Sequence, residues 1–90
     1  MIHNYWDLGH QPEGTRVRVD IQGDECNVRL LDSSNYRAYK ADQRHRYFGG
    51  HYKRSPVFLT VPSGDHWYVA IDYGGGPGRG RASVQVLQPV

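Results

Sequence analysis

Long hydrophobic runs are absent from this 90-residue sequence, in which hydrophobic residues make up 38% of the total. No stretch approaches the roughly 18 apolar residues of a transmembrane helix, so the sequence predicts no membrane span. Residues 1–10 are polar and aromatic and lack the apolar core of a signal peptide. Cysteine occurs once, at Cys26, which excludes an internal disulfide and a zinc site built on cysteines. Because a lone thiol suits a reducing compartment, we expect a cytoplasmic protein.

The sequence also lacks a large excess of positive or negative residues, since the formal net charge is only +2. Self-repulsion at this charge is too weak to keep the chain unfolded. A chain of 90 residues holds one small domain, and we expect it to cover residues 1–90.

The sequence consists of short segments in which apolar and polar residues alternate. In residues 15–21, for example, Val17, Val19 and Ile21 share one face and polar residues the other. This period predicts strands with one buried and one solvated face. Six such segments are present, at residues 2–8, 15–21, 27–32, 56–61, 66–72 and 81–87. We therefore predict an all-β fold, a small antiparallel, jelly-roll-like β-sandwich of about six strands, with a small open barrel as the alternative.

The predicted core is made of the inward residues of these segments. It comprises Val17, Val19, Val28, Leu30, Leu59, Trp67, Val69, Ile71, Val84 and Val86.

Two segments interrupt the alternation. Residues 33–55 form a long irregular connection, in which the polar residues at 32–35 favour a single capped helical turn at Tyr36–Lys40. Residues 73–80 are rich in glycine and predict a hairpin tip. A phosphate cradle is disfavoured there because no helix follows to supply its N-terminus.

The long connection concentrates positive charge. Residues 37–54 carry six basic side chains and one acidic one, a net charge of +5, while the rest of the chain carries −3. Aromatic residues alternate with these charges, and such a mixture suits phosphate contacts and ring stacking. The predicted ligand-binding residues are Asn35, Tyr36, Tyr39, Arg46, Tyr47, His51, Lys53 and Arg54. The alternative is a solvated connection whose tyrosines only pack against the sandwich.

Catalytic and metal-binding patterns are not found. His45 and His51 are six residues apart near Asp42, which does not match the close helical spacing of common zinc sites. The serines lie outside nucleophile-elbow motifs, and nothing in the sequence assembles an acid–base pair. We therefore predict a protein without cofactor, metal site or catalytic residues.

Several segments of the sequence resemble the DUF1883 family of small bacterial proteins. They lie at residues 5–10, 27–36, 39–40, 47–51, 55–57 and 66–72, and those at 31–36 and 47–56 are the most specific. The resemblance covers nearly the whole chain. It implies a β-sandwich fold in a family whose members stand alone or are fused to signalling domains such as TIR. Because the family's function is unknown, the resemblance transfers no catalytic residue.

The functional prediction is a small non-catalytic binding module. Its basic, tyrosine-rich segment at residues 35–54 would contact an anionic or carbohydrate-like ligand. The alternative is a protein-interaction or oligomerisation domain, an adaptor with no small-molecule ligand. Double-stranded DNA is disfavoured as a partner because the sequence offers no recognition element for a groove.

Overall fold

The computed structural model describes residues 2–87, which form seven β-strands and one α-helix. The helix is α1 (Ser33–Lys40). The strands are β1 (Asn4–Gln11), β2 (Arg16–Gly23), β3 (Cys26–Asp32), β4 (Phe48–Tyr52), β5 (Val57–Thr60), β6 (Asp65–Asp72) and β7 (Gly80–Leu87).

The strands pair into two antiparallel sheets. One has four strands in the order β1-β6-β3-β4, and the other has three in the order β5-β2-β7. Consecutive strands change sheet at every step except from β3 to β4. The predicted small antiparallel sandwich is therefore confirmed, and the strands form two separate sheets instead of an open barrel. The strand count of six was too low by one.

The core lies between the sheets and follows the alternation of the sequence. Val17 and Val19 of β2 are fully buried, and Trp67 of β6 is buried with its indole Nε1 donating to the carbonyl of Ser63 at 2.9 Å. Eight of the ten predicted core residues belong to this cluster. Val84 and Val86, on the edge strand β7, are only partly buried.

The segment at 33–55 is not one irregular connection, because it contains α1 and β4. Helix α1 is longer than the predicted single turn. The Asp32 carboxylate caps it, accepting from the backbone N–H of Asn35 at 2.9 Å and satisfying an N–H that has no partner within the helix. Strand β4 was missed because Gly49 and Gly50 interrupt its alternation. Within residues 2–87, no helix is long and apolar enough to span a membrane.

The glycine-rich segment at 73–80 does not form a hairpin tip, because β6 and β7 belong to different sheets. It crosses from one sheet to the other. Gly74 and Gly75 adopt φ angles of 75° and 85°, a conformation that favours glycine. The backbone N–H of Arg79 donates to the Asp24 carboxylate at 2.9 Å, which fixes the far end of the crossing beside the turn between β2 and β3.

Candidate functional site

Helix α1 packs against the outer face of the four-stranded sheet, the face that points away from the sandwich core. A second, smaller cluster forms there from Leu31, Tyr36, Tyr39 and Ala70, with Tyr68 partly buried against it. Tyr36 and Tyr39 are three residues apart, so they lie on the same side of the helix and both face the sheet. Two groups of residues meet the helix on this face, one next to each of these tyrosines.

The first region is an open groove with a volume of about 520 Å³. It lies where the N-terminal segment and β1 approach α1 and β6. We call it the tyrosine groove, and it is lined by Ile2, His3, Tyr5, Asp7, Tyr36, Lys40 and Tyr68.

Aromatic rings form the floor and one wall of the tyrosine groove. The rings of Tyr36 and Tyr68 stack with their centroids 4.2 Å apart and an interplanar angle of 21°. The ring of Tyr5 lies 5.7 Å from that of Tyr36, tilted by 38°. Tyr36 is buried, whereas Tyr5 is 58% exposed. The stacked pair therefore fixes the floor, and Tyr5 presents an aromatic ring to solvent.

A carboxylate with a fixed orientation lies beside these rings. Asp7 precedes an irregularity in β1, where the register against β6 shifts between Asp7 and Gly9. The Asp7 Oδ1 atom accepts from the Gly9 backbone N–H at 2.8 Å and lies 2.6 Å from Nε2 of His66. These two hydrogen bonds, the one from Gly9 first, lower the pKa of Asp7 below its usual value. Asp7 is therefore a charged acceptor at neutral pH.

Lys40, at the end of α1, supplies the positive charge of the groove. Its Nζ atom lies 4.8 Å from the centroid of the Tyr36 ring, which is within the range of a cation–π contact. The negative charge of Asp7 and the positive charge of Lys40 thus lie in the same groove. Because the two charges offset each other, the groove offers both a hydrogen-bond acceptor and a donor at little net charge.

The second region, next to Tyr39, contains a buried carboxylate. Asp72 at the end of β6 is only 1% exposed. It accepts hydrogen bonds from Asn27 Nδ2 at 2.8 Å and from Arg29 Nε at 2.9 Å. It also accepts from the Tyr39 hydroxyl at 2.6 Å and the Gly74 backbone N–H at 3.0 Å. This network links α1, β3 and β6 to the start of the crossing to β7.

The protonation states in this network are set by burial and by hydrogen bonds. Burial raises the pKa of Asp72, but the four hydrogen bonds outweigh it and bring that pKa down to about 2. Burial and the hydrogen bond to Asp72 raise the pKa of the Tyr39 hydroxyl. At neutral pH, Asp72 is therefore a charged acceptor and Tyr39 keeps the proton that it donates.

The predicted ligand-binding residues are spread over both regions. Of the eight, Tyr36 lines the tyrosine groove. Tyr39 is buried against Asp72, and the Tyr47 ring lies 4.5 Å from the guanidinium carbon of Arg29. These three are therefore brought onto one face, but in different surroundings.

The other five predicted residues do not line the tyrosine groove. Asn35 Oδ1 accepts from the backbone N–H of Arg46 at 2.8 Å and so joins α1 to the segment that precedes β4. His51 lies between Asn27 Oδ1 at 3.0 Å and Glu25 Oε1 at 3.1 Å. Lys53 lies 3.8 Å from the same glutamate. Arg46 and Arg54 are exposed and do not line the tyrosine groove.

Sequence reasoning missed the strand residues of both regions. Tyr5 and Asp7 of β1 come next to Tyr36 only through the sheet, more than two dozen positions away in the chain. Asn27 and Arg29 are at outward positions of an alternating strand, where polar residues predict a solvated face. Asp72 is at a strand end, where turn hydrogen bonds are the ordinary explanation of a carboxylate. One signal was available: a helix packed on that face would bury whatever polar residues lie beneath it.

The part of the chain that the structure describes contains no group of side chains arranged like a metal site. Within residues 2–87, no three His, Cys, Asp or Glu side chains are grouped so that they could hold a metal ion. His66 pairs with Asp7, and His51 pairs with Glu25, but neither pair has a third ligand of this kind.

Comparisons with known proteins establish the family and nothing about activity. Neither the curated proteins nor the solved structures contain a match to this chain. The model of one family matches residues 1–90, and that family is described as a domain of unknown function, DUF1883. The match spans both the tyrosine groove and the Asp72 network. The chain belongs to the DUF1883 family.

Proposed function

We propose that this chain is a non-catalytic binding module that holds a sugar-like ligand, a hydroxylated ring, in the tyrosine groove. The observation that carries the proposal is the combination of an exposed ring, Tyr5, with the oriented carboxylate of Asp7 in one groove. Ligand pockets typically measure ~300–1,000 Å³ and combine aromatic walls with a few placed polar groups. The groove, at about 520 Å³, matches that description.

The chemistry of the groove favours a nearly neutral ligand. The apolar face of a sugar ring stacks on an aromatic side chain, and its hydroxyl groups donate to a carboxylate and accept from an ammonium group. Tyr5, Asp7 and Lys40 provide these three contacts. The opposite charges of Asp7 and Lys40 in one groove would give a polyanion little net attraction.

Binding without catalysis agrees with the protonation state of Asp7. A general acid at neutral pH needs a raised pKa, and a general base needs a pKa near the working pH. The pKa of Asp7 is lowered by its hydrogen bonds to Gly9 and His66. Such a carboxylate is a poor proton donor and a weak base, but a good hydrogen-bond acceptor.

The test is a carbohydrate array probed with the full chain, followed by calorimetry of the strongest neutral saccharide. We expect binding that is lost in Tyr5→Ala and retained in Phe58→Ala. Phe58 is the matched control because it is 47% exposed on the other sheet, where Arg16 and Arg18 lie over its ring. An array without a hit, or a saccharide that binds both variants equally well, would refute the proposal.

A second candidate function, self-association, is favoured by strand β7. This edge strand has eight residues, a continuous register against β2, no proline and one charged residue, Arg81. Its inward residues Ala82 and Val84 are only partly buried, whereas Val57 and Leu59 of the opposite edge strand are buried. A long edge without a bulge, a proline or several charges is a template for pairing with another strand.

The competing proposal is thus an adaptor in which β7 pairs antiparallel with β7 of a second copy. Sedimentation equilibrium of the full chain tests it. A dimer that Gln85→Lys dissociates and Thr60→Lys leaves intact would support it, since both residues are exposed on edge strands of the same sheet. A wild-type chain that stays monomeric at high concentration would rule it out.

We also propose that the protein works in the bacterial cytoplasm. The resemblance to small bacterial proteins supports the source. The free, buried thiol of Cys26 suits a reducing compartment. Fractionation of cells that express the full-length gene tests this location, and recovery from a secreted fraction would contradict it.

A further inference from the structure

Arg29 uses only part of its hydrogen-bonding capacity inside the protein. Its Nε–H donates to Asp72 Oδ2 at 2.9 Å. Within residues 2–87, no hydrogen bond engages its Nη1 or Nη2 groups, which carry the other four N–H donors of a guanidinium. No buried side-chain nitrogen or oxygen in that part of the chain lacks a partner. The two Nη groups must therefore reach solvent, although the side chain as a whole is only 14% exposed.

Two tyrosine rings and a carboxylate hold this guanidinium in place. Its central carbon lies 4.5 Å from the ring centroid of Tyr47 and 5.5 Å from that of Tyr39. Both distances are within the range of cation–π contacts. Asp72, itself fixed by four hydrogen bonds, holds the Nε side. The two Nη groups are thus oriented before any ligand arrives, which reduces the entropy lost on binding.

The neighbouring strand has no side chain directly opposite Arg29. In the ladder between β3 and β4, the residue opposite Arg29 is Gly49, so no side chain stands next to the guanidinium at that position. Gly49 has a φ of 125°, and a Cβ there would collide with the carbonyl oxygen of Val28. The position therefore requires glycine, and between Tyr47 and His51 strand β4 has no side chain that could cover the guanidinium.

The charge of the surrounding segment favours an anion at Arg29. Asp72 neutralises Arg29, so the pair itself has no net charge. The segment at 37–54, which includes β4 and the residues before it, carries a net charge of +5, and it stays positive after Lys40, which lies in the tyrosine groove, and Lys53, which lies beside Glu25, are set aside. A positive field of this kind raises the local concentration of anions. The oriented Nη groups then supply the specific contacts.

We propose that Arg29 is the centre of an anion-binding site, separate from the tyrosine groove, in which its two Nη groups hold two oxygens of one oxyanion group. The chemical class is a phosphate or a carboxylate, because both present paired oxygens that match the guanidinium fork. The ring of Tyr47 covers one side of the bound group.

The experiment titrates the ¹⁵N-labelled full chain with inorganic phosphate and, separately, with acetate, at constant ionic strength. We expect saturable shifts of the Arg29 Nε–H signal and the Gly49 amide. The oxyanion that saturates at the lower concentration identifies the class. Equal, non-saturating shifts with both anions would show only general screening and would overturn the proposal.

Arg29→Lys is the first variant, since it keeps a positive charge next to Asp72 but removes the two Nη groups of the guanidinium. We expect phosphate or acetate to bind it about tenfold more weakly, which corresponds to the loss of a charge-assisted hydrogen bond. Arg44→Lys, an exposed basic residue of the same segment, is the matched control and should bind like the wild type. Equal affinity of Arg29→Lys and the wild type would overturn the proposal.

A second variant keeps the test decisive if Arg29→Lys does not fold. Tyr47 is partly exposed, so Tyr47→Leu removes the ring beside the guanidinium with little effect on the core. We expect weaker binding of the oxyanion, and unchanged binding would contradict the site. Tyr5→Ala should bind the oxyanion normally, so that failure of this site and failure of the tyrosine groove are distinguishable.

Discussion

The hydroxyl of Tyr39 donates to the carboxylate of Asp72 across 2.6 Å, and this hydrogen bond joins helix α1 to strand β6 in a buried position. The same carboxylate accepts hydrogen bonds from the side chains of Asn27 and Arg29 in β3. Tyr36, one turn before Tyr39, forms the floor of the tyrosine groove. The network around Asp72 therefore fixes the position of the helix that builds the groove.

Removal of the Tyr39 hydroxyl should destabilise the fold more than removal of the Tyr36 hydroxyl. Tyr39→Phe deletes a buried hydrogen bond to a charged group, at a cost of about 2 kcal/mol. Tyr36→Phe deletes a contact with His3 Nε2 at 3.1 Å that is only partly buried, at a cost of about 0.5–1 kcal/mol. Urea unfolding of the two variants measures the difference. Equal losses of unfolding free energy in the two variants would mean that the hydrogen bond between Tyr39 and Asp72 contributes no more than the contact between Tyr36 and His3.

Replacement of the buried carboxylate should be costly as well. Asp72→Asn leaves the guanidinium of Arg29 without its counter-charge, and we expect a loss of about 3 kcal/mol in the free energy of unfolding. Glu13→Gln is the control, because this acidic residue is exposed in the turn between β1 and β2 and its loss should cost less than about 0.5 kcal/mol. A variant Asp72→Asn as stable as the wild type would show that the network contributes no net stability.

The stability of the domain should fall in acid because of Asp72. Its pKa is about 2 in the folded state and 3.8 without the protein environment. A lowered folded-state pKa contributes stability above the unfolded-state value, and that stability is lost as the pH falls from about 4 to about 2. The contribution is about 2 kcal/mol. Unfolding free energies at a series of pH values should show this loss in the wild type. In Asp72→Asn the decline should be smaller by that amount, and identical pH profiles would contradict the assignment to Asp72.

The strands with regular alternation were predictable from the sequence because one face of each strand is buried in the core and the other face is more polar. In β2 and β6 the inward residues are apolar at every second position, and most of them, such as Val17 and Val69, are fully buried. Strand β4 was not predictable in this way. Gly49 and Gly50 give it no alternating side chains, and its place in the sheet depends on backbone pairing with β3.

The candidate site was predictable only in part, for a related reason. Tyr36 and Tyr39 stood out because aromatic residues are frequent in a segment of high charge. Their partners did not, because Asp7 and Asp72 are each a single carboxylate at a strand position, and only tertiary structure brings them to the helix. The sequence shows which side chains have groups suited to ligand binding, whereas strand pairing in the sheet determines which of these side chains lie next to one another.

A double variant separates the two hypotheses on ligand binding. If the basic segment as a whole binds the ligand, as the charge pattern predicts, Arg46→Ala with Arg54→Ala should abolish binding. If the tyrosine groove binds it, the double variant should bind a neutral saccharide like the wild type, since neither residue lines the groove. In both cases the melting temperature should change little, because both side chains are exposed. Calorimetry with the saccharide, and a thermal melt of the same sample, decide between the hypotheses.

The two tryptophans provide a matched test of the core. Trp67 is 1% exposed and fills the space between the sheets, and Trp6 is partly buried at the β1 edge. Trp67→Ala removes a large buried side chain together with the hydrogen bond to Ser63, and should cost ~3–5 kcal/mol, enough to unfold much of so small a domain. Trp6→Ala should cost clearly less, because part of its surface is in contact with solvent in the folded state. Urea unfolding followed by far-ultraviolet circular dichroism compares them. A loss below about 1 kcal/mol for Trp67→Ala would place that ring outside the core.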